Sequence, residues 1–438
     1  MLRLGEREKV LSVFEMTDDP EALTQFIHRC RQRAVRAEEL LDCLRLVTEA
    51  DLGRYPSHFR YALLLALGEY SLHEIPDAAR ETLIEQVGTW YRNDPSSGVH
   101  GASGWLLRKW GQTPIVQAVD QTAVAYSPDR EWFTLAVSVK PTAMKNEDAT
   151  EKPMVKAFYY TFVVFPAGKF EIGSLDDETD RQREEVRHTV NLTRPFALLD
   201  REVTFEELIS FSTKYSGYMN QFDASIEDAG FAVNWYESIA FCRWLSHQAN
   251  VPEEEQSYAD PASLTKEEYP REPNPSANWA PSVWPLKLGQ RGFRLPTESE
   301  WEVASRAGSR SMYAQGGDVR ILPEYGWFQE NNKKNVRPPK GLRPNLRGLF
   351  DIHGNLYEWT HDWYKPYSAH ALVDPVIDTG VSYRVYRGGN WGSQAADCQS
   401  AIRNTGPPTA MNAVLGFRLA LSPSGQDGKA EPVGGGTE

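Results

Sequence analysis

"GFRLPTESEWEVASRAG", residues 292–308, reads as one short helix with its start and stop written into it. Thr297 stands at the N-cap, Glu300 follows three residues on, and Gly308 marks the end. In such a capping box the hydroxyl takes the N3 amide while the carboxylate returns to the N-cap amide, so two orphan donors are satisfied together. "VNWYESIAFCRWLSHQ" (233–248) repeats the device with Asn234 and Glu237. Between and around these two helices the pattern changes. "YYTFVVFPAGKFEIGS" (159–174) predicts a strand, a Pro-Ala-Gly turn and a second strand. Long irregular segments, 249–290 and 308–350, separate the regular elements. Short strands, isolated helices and much ordered loop predict an α+β domain rather than a bundle or a sandwich.

The N-terminal quarter is different. "HFRYALLLALGEY" (58–70) and "VHGASGWLLRKWG" (99–111) are apolar at helical spacing and recur at an offset of about 40 residues, the period of HEAT-like helix pairs. "PDAARETLIEQVGTWYRND" (76–94) supplies the amphipathic helix between them. One such pair cannot bury its apolar face alone, so it must stack on itself, on the next domain or on a separate neighbour. The expected organisation is an all-α HEAT-like domain over 1–115, a linker or exposed loop over 116–155, the α+β domain over 156–421 and a disordered tail over 422–438. "VSVKPTAMKNEDATEKPM" (137–154), polar and without period, is the basis of the linker assignment.

The net charge of −13 over 438 residues repels nucleic acid and anionic membrane surfaces at long range, so neither is an expected partner. No apolar run is long enough to span a bilayer, and the first residues lack a signal-peptide core; the expected location is the cytoplasm. Cys30, Cys43, Cys242 and Cys398 are scattered, which does not suggest a disulfide framework.

Several blocks then add up: "FVVFPAGKFEIGS" (162–174), "HTVNLTRPFALLDREVTFEELISF" (188–211), "VNWYESIAFCRWLS" (233–246), residues 292–308, "NLRGLFDIHGNLYEWTHDWY" (345–364), and "RVYRGGNW" (384–391) with "GFRLA" (416–420). In this order and spacing they resemble the formylglycine-generating enzyme, or sulfatase-modifying factor, family. The resemblance covers about 156–421 and implies a C-type-lectin-like fold, a twisted mixed sheet with two helices. Active members of the family oxidise a cysteine through copper held by a thiol pair just after the double glycine, and a dithiolate site selects Cu(I) because both are soft. Here Gly388-Gly389 is followed by Asn390, Ser393 occupies the neighbourhood of the missing thiols, and Cys398 falls on a framework position. No copper is expected. A second branch, the sulfoxide synthases, uses iron held by histidines along one helix. The histidines here, His28, His58, His73, His100, His188, His247, His353, His361 and His370, form no such pair in the helical part, so no iron is expected either. His353 and His361 read as solvated or hydrogen-bonding loop residues. The resemblance also implies a structural calcium on the side chains of Asp351 and Glu358 and the carbonyls of Gly354 and Leu356, a hard-oxygen set.

With the thiol pair missing, the stretch from Arg387 to Arg418 reads as a display surface. Trp391, Ser393, Gln394, Asp397, Gln399, Ile402, Asn404, Thr405, Asn412 and Val414 are the candidate ligand-binding residues, mixed in type and without period. Some relatives of this domain are variable proteins of diversity-generating retroelements. The expected function is non-catalytic recognition of a protein or peptide ligand, with the helical domain joining an effector protein. The alternative is a metal-dependent oxidase or oxygenase.

Overall fold

A computed structural model describes residues 20–49, 56–140, 155–263, 271–274, 277–281, 284–332, 335–379 and 382–423. Helices α1 (Glu21–Arg29), α2 (Ala37–Glu49), α3 (Ser57–Leu67), α4 (Asp77–Asn93), α5 (Ser97–Lys109) and α6 (Thr113–Asp120) form the N-terminal part. α5 packs against both α3 and α4. Its own outer face is closed by the C-terminal part, and there glycine is required by space. A Cβ on Gly98 would stand 2.3 Å from the carbonyl oxygen of Leu346, and one on Gly101 3.0 Å from the Cα of Gly348. The core of the helical part accordingly takes in Tyr325 and Phe350 from across the junction. Tyr61 donates to the carbonyl of Pro344 at 2.8 Å. Arg343, buried, pairs with both Glu69 and Glu324 and lies 4.8 Å over the Trp105 ring. Of the three ways in which the helices could bury their face, this one is the next domain.

The assignment of 116–155 as linker is corrected. α6 runs into it, and β1 (Trp132–Val139) pairs antiparallel along its whole length with β2 (Lys156–Phe165). β1 starts with three buried residues in a row, Trp132, Phe133 and Thr134, so the alternation that marks a half-buried strand is absent where it is most needed. Residues 141–154 lie outside the described residues, as do 424–438 of the expected tail; Ser422 is buried.

The C-terminal part is α+β, as expected. β1 and β2 continue through β5 (Phe196–Leu199) to β13 (Ala420–Leu421) in one sheet of order β1-β2-β5-β13. A second sheet has the order β11-β10-β8-β12, with β8 at Tyr357–Trp363, β10 at Arg384–Arg387, β11 at Asn404–Gly406 and β12 at Leu415–Gly416. β3 (Gly168–Ile172), β4 (His188–Leu192) and β9 (Leu372–Val373) make a third, and β6 (Arg271–Asn274) and β7 (Ala277–Pro281) a hairpin. α7 (Phe205–Phe211) and α8 (Lys214–Gln221) precede the two signalled helices, α9 (Trp235–Gln248) and α10 (Glu298–Arg306). Both capping boxes form: Asn234 with Glu237, and Thr297 with Glu300. Such a box stabilises a helix start by about 1 kcal/mol. Among the described residues no helix is long and apolar enough to cross a membrane.

Candidate functional site

Three glutamates on the short α10 explain how the C-terminal stretch is held. Glu298 receives Arg403 through two hydrogen bonds of 2.6 and 2.7 Å and Arg387 at 3.3 Å. Glu300 receives Arg294 at 2.6 and 2.7 Å. Glu302 receives Arg387 at 2.5 Å and Arg306 at 2.9 Å. All three carboxylates are buried, so each needs its guanidinium: an unpaired charge there costs several kcal/mol. Arg384, at the start of β10, is clamped differently, between the rings of Trp235 at 3.5 Å and Trp363 at 3.9 Å. Burial pushes its guanidinium down to about 9.

The double glycine follows β10, and both residues have positive φ, 98° at Gly388 and 75° at Gly389. A Cβ on Gly389 would sit 2.4 Å from the sulfur of Cys398. That thiol is enclosed with Tyr313, Leu322 and Phe328, and burial pushes its pKa far up. Cys242 belongs to a different core, and Cys30 and Cys43 to the helical one, so no second cysteine shares its enclosure. A buried, protonated thiol is inert as nucleophile and as metal ligand.

Of the expected calcium set, the two carboxylates are engaged within the protein. Glu358 accepts from three donors: Arg418 Nε and Nη2, both at 2.6 Å, and Trp301 Nε1 at 2.7 Å. An ion at Glu358 would compete with a bidentate guanidinium. Asp351 accepts the amide of Lys340 at 2.8 Å, while its other oxygen is buried without a partner and burial pushes the carboxyl up to about 6. Gly354, at φ 147°, is kept by close approach, since a Cβ there meets the Trp327 carbonyl at 2.2 Å. Leu356 donates its amide to Glu202 at 3.2 Å. The carboxylates of Asp351 and Glu358 hold the turn together, and Glu358 as placed is given to Arg418 and Trp301 rather than to an ion. Among the described residues no cluster of three or more His, Cys, Asp or Glu side chains is placed to hold a metal.

The histidine reading holds as to hydrogen bonding and is corrected as to solvent, and His361 lies on a strand rather than in a loop. His353 is buried: its Nδ1 lies 2.9 Å from the Cys398 carbonyl and its Nε2 accepts the amide of Ala314 at 3.1 Å. His361 lies on β8, also buried, 2.6 Å from Asp378 and 3.2 Å from the Tyr258 hydroxyl. Burial pushes both down to about 4, so they are neutral hydrogen-bonding groups of the interior.

The candidate binding residues divide. Gln394 and Asn412 are exposed; Trp391, Asp397, Asn404, Thr405 and Val414 are half-exposed; Ser393, Gln399 and Ile402 are buried. Ser393 accepts from the amide and the side chain of Asn390 at 3.1 and 2.8 Å and donates to the Tyr357 hydroxyl at 3.2 Å. Gln399 donates to the Thr179 carbonyl at 3.4 Å. These three hold the loop from within. Ser393→Ala is therefore expected to lower the stability by about 1 kcal/mol in a denaturant melt, by leaving Asn390 without its acceptor. An unchanged melt would return Ser393 to the surface set. Asn404 and Thr405 are neighbours in β11 and point to opposite faces, Asn404 beside Tyr386 and Thr405 beside the buried Val385. Trp391 is fixed by its amide to the Asn355 carbonyl at 2.9 Å and by its indole to the Ala413 carbonyl at 3.4 Å. Two residues of this face were missed, Tyr357 and Tyr386, whose rings lie 4.9 Å apart. Their signal was the strand alternation in "LYEW" and "VYRG", unreadable until the register of the two strands was known.

The model of the sulfatase-modifying factor enzyme 1-like domain matches residues 148–423. The formylglycine-generating enzyme of Streptomyces coelicolor is 27% identical over 302 residues, 59% of this chain and 88% of that enzyme. The serine/threonine-protein kinase pkn1 of Chlamydia pneumoniae is 36% identical over 133 residues, 30% of this chain. The match spans only 21% of the kinase's length. Among solved structures, Treponema denticola variable protein 1 superposes with a TM-score of 0.50 at 27% identity, over 66% of this chain and 99% of that one. The family model spans well over half of the chain, and the α+β fold and the double-glycine turn lie within it, so the chain belongs to the sulfatase-modifying factor enzyme 1-like family.

Proposed function

We propose that the protein is a ligand-recognition module, presenting a polar and aromatic face on a C-type-lectin-like scaffold and performing no redox chemistry there. The observation that carries this reading is the enclosure of Cys398: the thiol beside the double glycine is single, buried and held protonated. The likeness to Treponema denticola variable protein 1 over almost all of that protein supports a recognition role, and with it the idea that this face is genetically diversified. The ligand is a protein or peptide, and the helical part, docked through α5, passes the contact to an effector protein through its remaining surface.

Copper uptake tests the reading. Purified protein loaded with Cu(I) under reducing conditions and then desalted against a thiol competitor is expected to retain far less than one copper per chain. Retention of one copper per chain, abolished by Cys398→Ala, would instead favour the metal-dependent oxidase.

A further inference from the structure

The face that carries Asn404 has a centre that no residue of the original set occupies. Tyr357 on β8 and Tyr386 on β10 lie side by side and half-exposed. Tyr386 stands edge-on to Trp359 at 5.4 Å, and that tryptophan is wholly buried with its indole donating to the Val233 carbonyl at 2.9 Å. Trp359, the cross-strand partner of Tyr386, thus flanks that ring as a rigid side wall. Asn404 pairs with Tyr386 across the strands, and Ser393 bonds the Tyr357 hydroxyl. The hydroxyl of Tyr386 makes no hydrogen bond among the described residues, and burial alone raises its pKa. Arg387 and Arg403 are spent on Glu298 and Glu302, while the carboxylate of Asp397, which receives the amide of Gln394 at 3.2 Å, adds to burial in raising the pKa of Tyr357.

We propose that Tyr357 and Tyr386 are the anchor of the recognition face, and that the occupant is a polypeptide seating an apolar or aromatic side chain against their rings; this rests on the recognition reading above. Rigid tyrosines supply large amphipathic contact area at little entropic cost, and surfaces that read proteins combine them with tryptophan, serine and asparagine, the mixture found here. The rings themselves are uncharged and the carboxylate of Asp397 beside Tyr357 repels anions, so the side chain seated on them is an uncharged one and acidic segments are disfavoured. The anchor is preorganised, so binding orders few groups.

The test uses a phage-displayed random peptide library panned on the full chain, and measures the affinity of independent enriched peptides for variants. Tyr386→Ala is expected to weaken most of them by about 30-fold or more, as truncation of a hot spot does. Tyr386→Phe, which keeps the ring, is expected to stay within about tenfold of the parent, and Thr89→Ala, exposed on a helix of the N-terminal part, to change nothing. If the alanine variant melts early, Tyr386→Leu, which keeps apolar packing on Trp359, repeats the measurement with the same expectation. Peptides that lose affinity with Trp391→Ala or Asn412→Ala but not with Tyr386→Ala overturn the anchor while leaving recognition in place. Peptides that bind with no preference for this face overturn the recognition reading itself.

Discussion

Glu358→Ala is expected to cost about 3–5 kcal/mol of folding stability, the loss found when one partner of a buried ion pair is removed. Arg418, fully buried, keeps its hydrogen bonds to the carbonyls of Leu199 and Phe350 after the change, and the nearby carboxyls of Glu202 and Asp351, both pushed up by burial, offset its charge only in part. The sign is set by burial: the attraction of the pair in water is small, while a lone guanidinium in the interior is a large penalty. The same loss is expected in urea melts with and without a calcium chelator. If the chelator brings the parent protein down to the level of the variant, Glu358 is a calcium ligand after all and the ion-pair assignment is wrong. Glu358→Leu combined with Arg418→Met is expected to recover most of the loss, because an apolar pair of similar volume needs no compensation.

Gly98→Leu is expected to prise the helical part from the domain it leans on. Even a methyl group at Gly98 meets the backbone oxygen of Leu346 at 2.3 Å, and a backbone atom cannot rotate aside. The facing glycine is equally constrained: Gly348 has φ 86°, and a Cβ on it would lie 2.4 Å from the Ser97 carbonyl. Overpacking of this kind costs about 3 kcal/mol at a site that cannot relax. Here relaxation takes the form of separation, which exposes Trp105, Tyr325 and Phe350 together. The expected readout is rapid proteolytic cleavage between the two parts and binding of a hydrophobic dye at native pH. A single cooperative melt with the parent's protease resistance would mean that the junction is looser than its glycines indicate.

Much of the fold could be read from residues that act on their near neighbours. Asn234 with Glu237 and Thr297 with Glu300 needed no partner beyond three positions, and both helices start where these residues stand. The tight backbone after β10 was signalled by Gly388 and Gly389. What escaped was decided at a distance. β1 was hidden because Trp132, Phe133 and Thr134 are all covered, so no alternation reports the strand. The burial of Glu298 and Glu302 was set by Arg387 and Arg403, far along the chain. The binding face was only partly legible for a related reason. Polar residues in an irregular stretch look alike in sequence, and hydrogen bonds such as those of Ser393 and Gln399 separate those that hold a loop from those that meet solvent.

The closing strand of the first sheet sets a schedule for biosynthesis. Leu421 and Ala420 pair with Ala197 and Leu198, whose own neighbour β2 is bound to β1 still earlier in the chain. While the ribosome is still making the intervening residues, β5 has one open edge, and contacts of such long range form slowly. An exposed edge is a template for the wrong strand. That edge stays open to mispairing until Ala420 emerges, so a ribosome stalled before it leaves a product prone to clump.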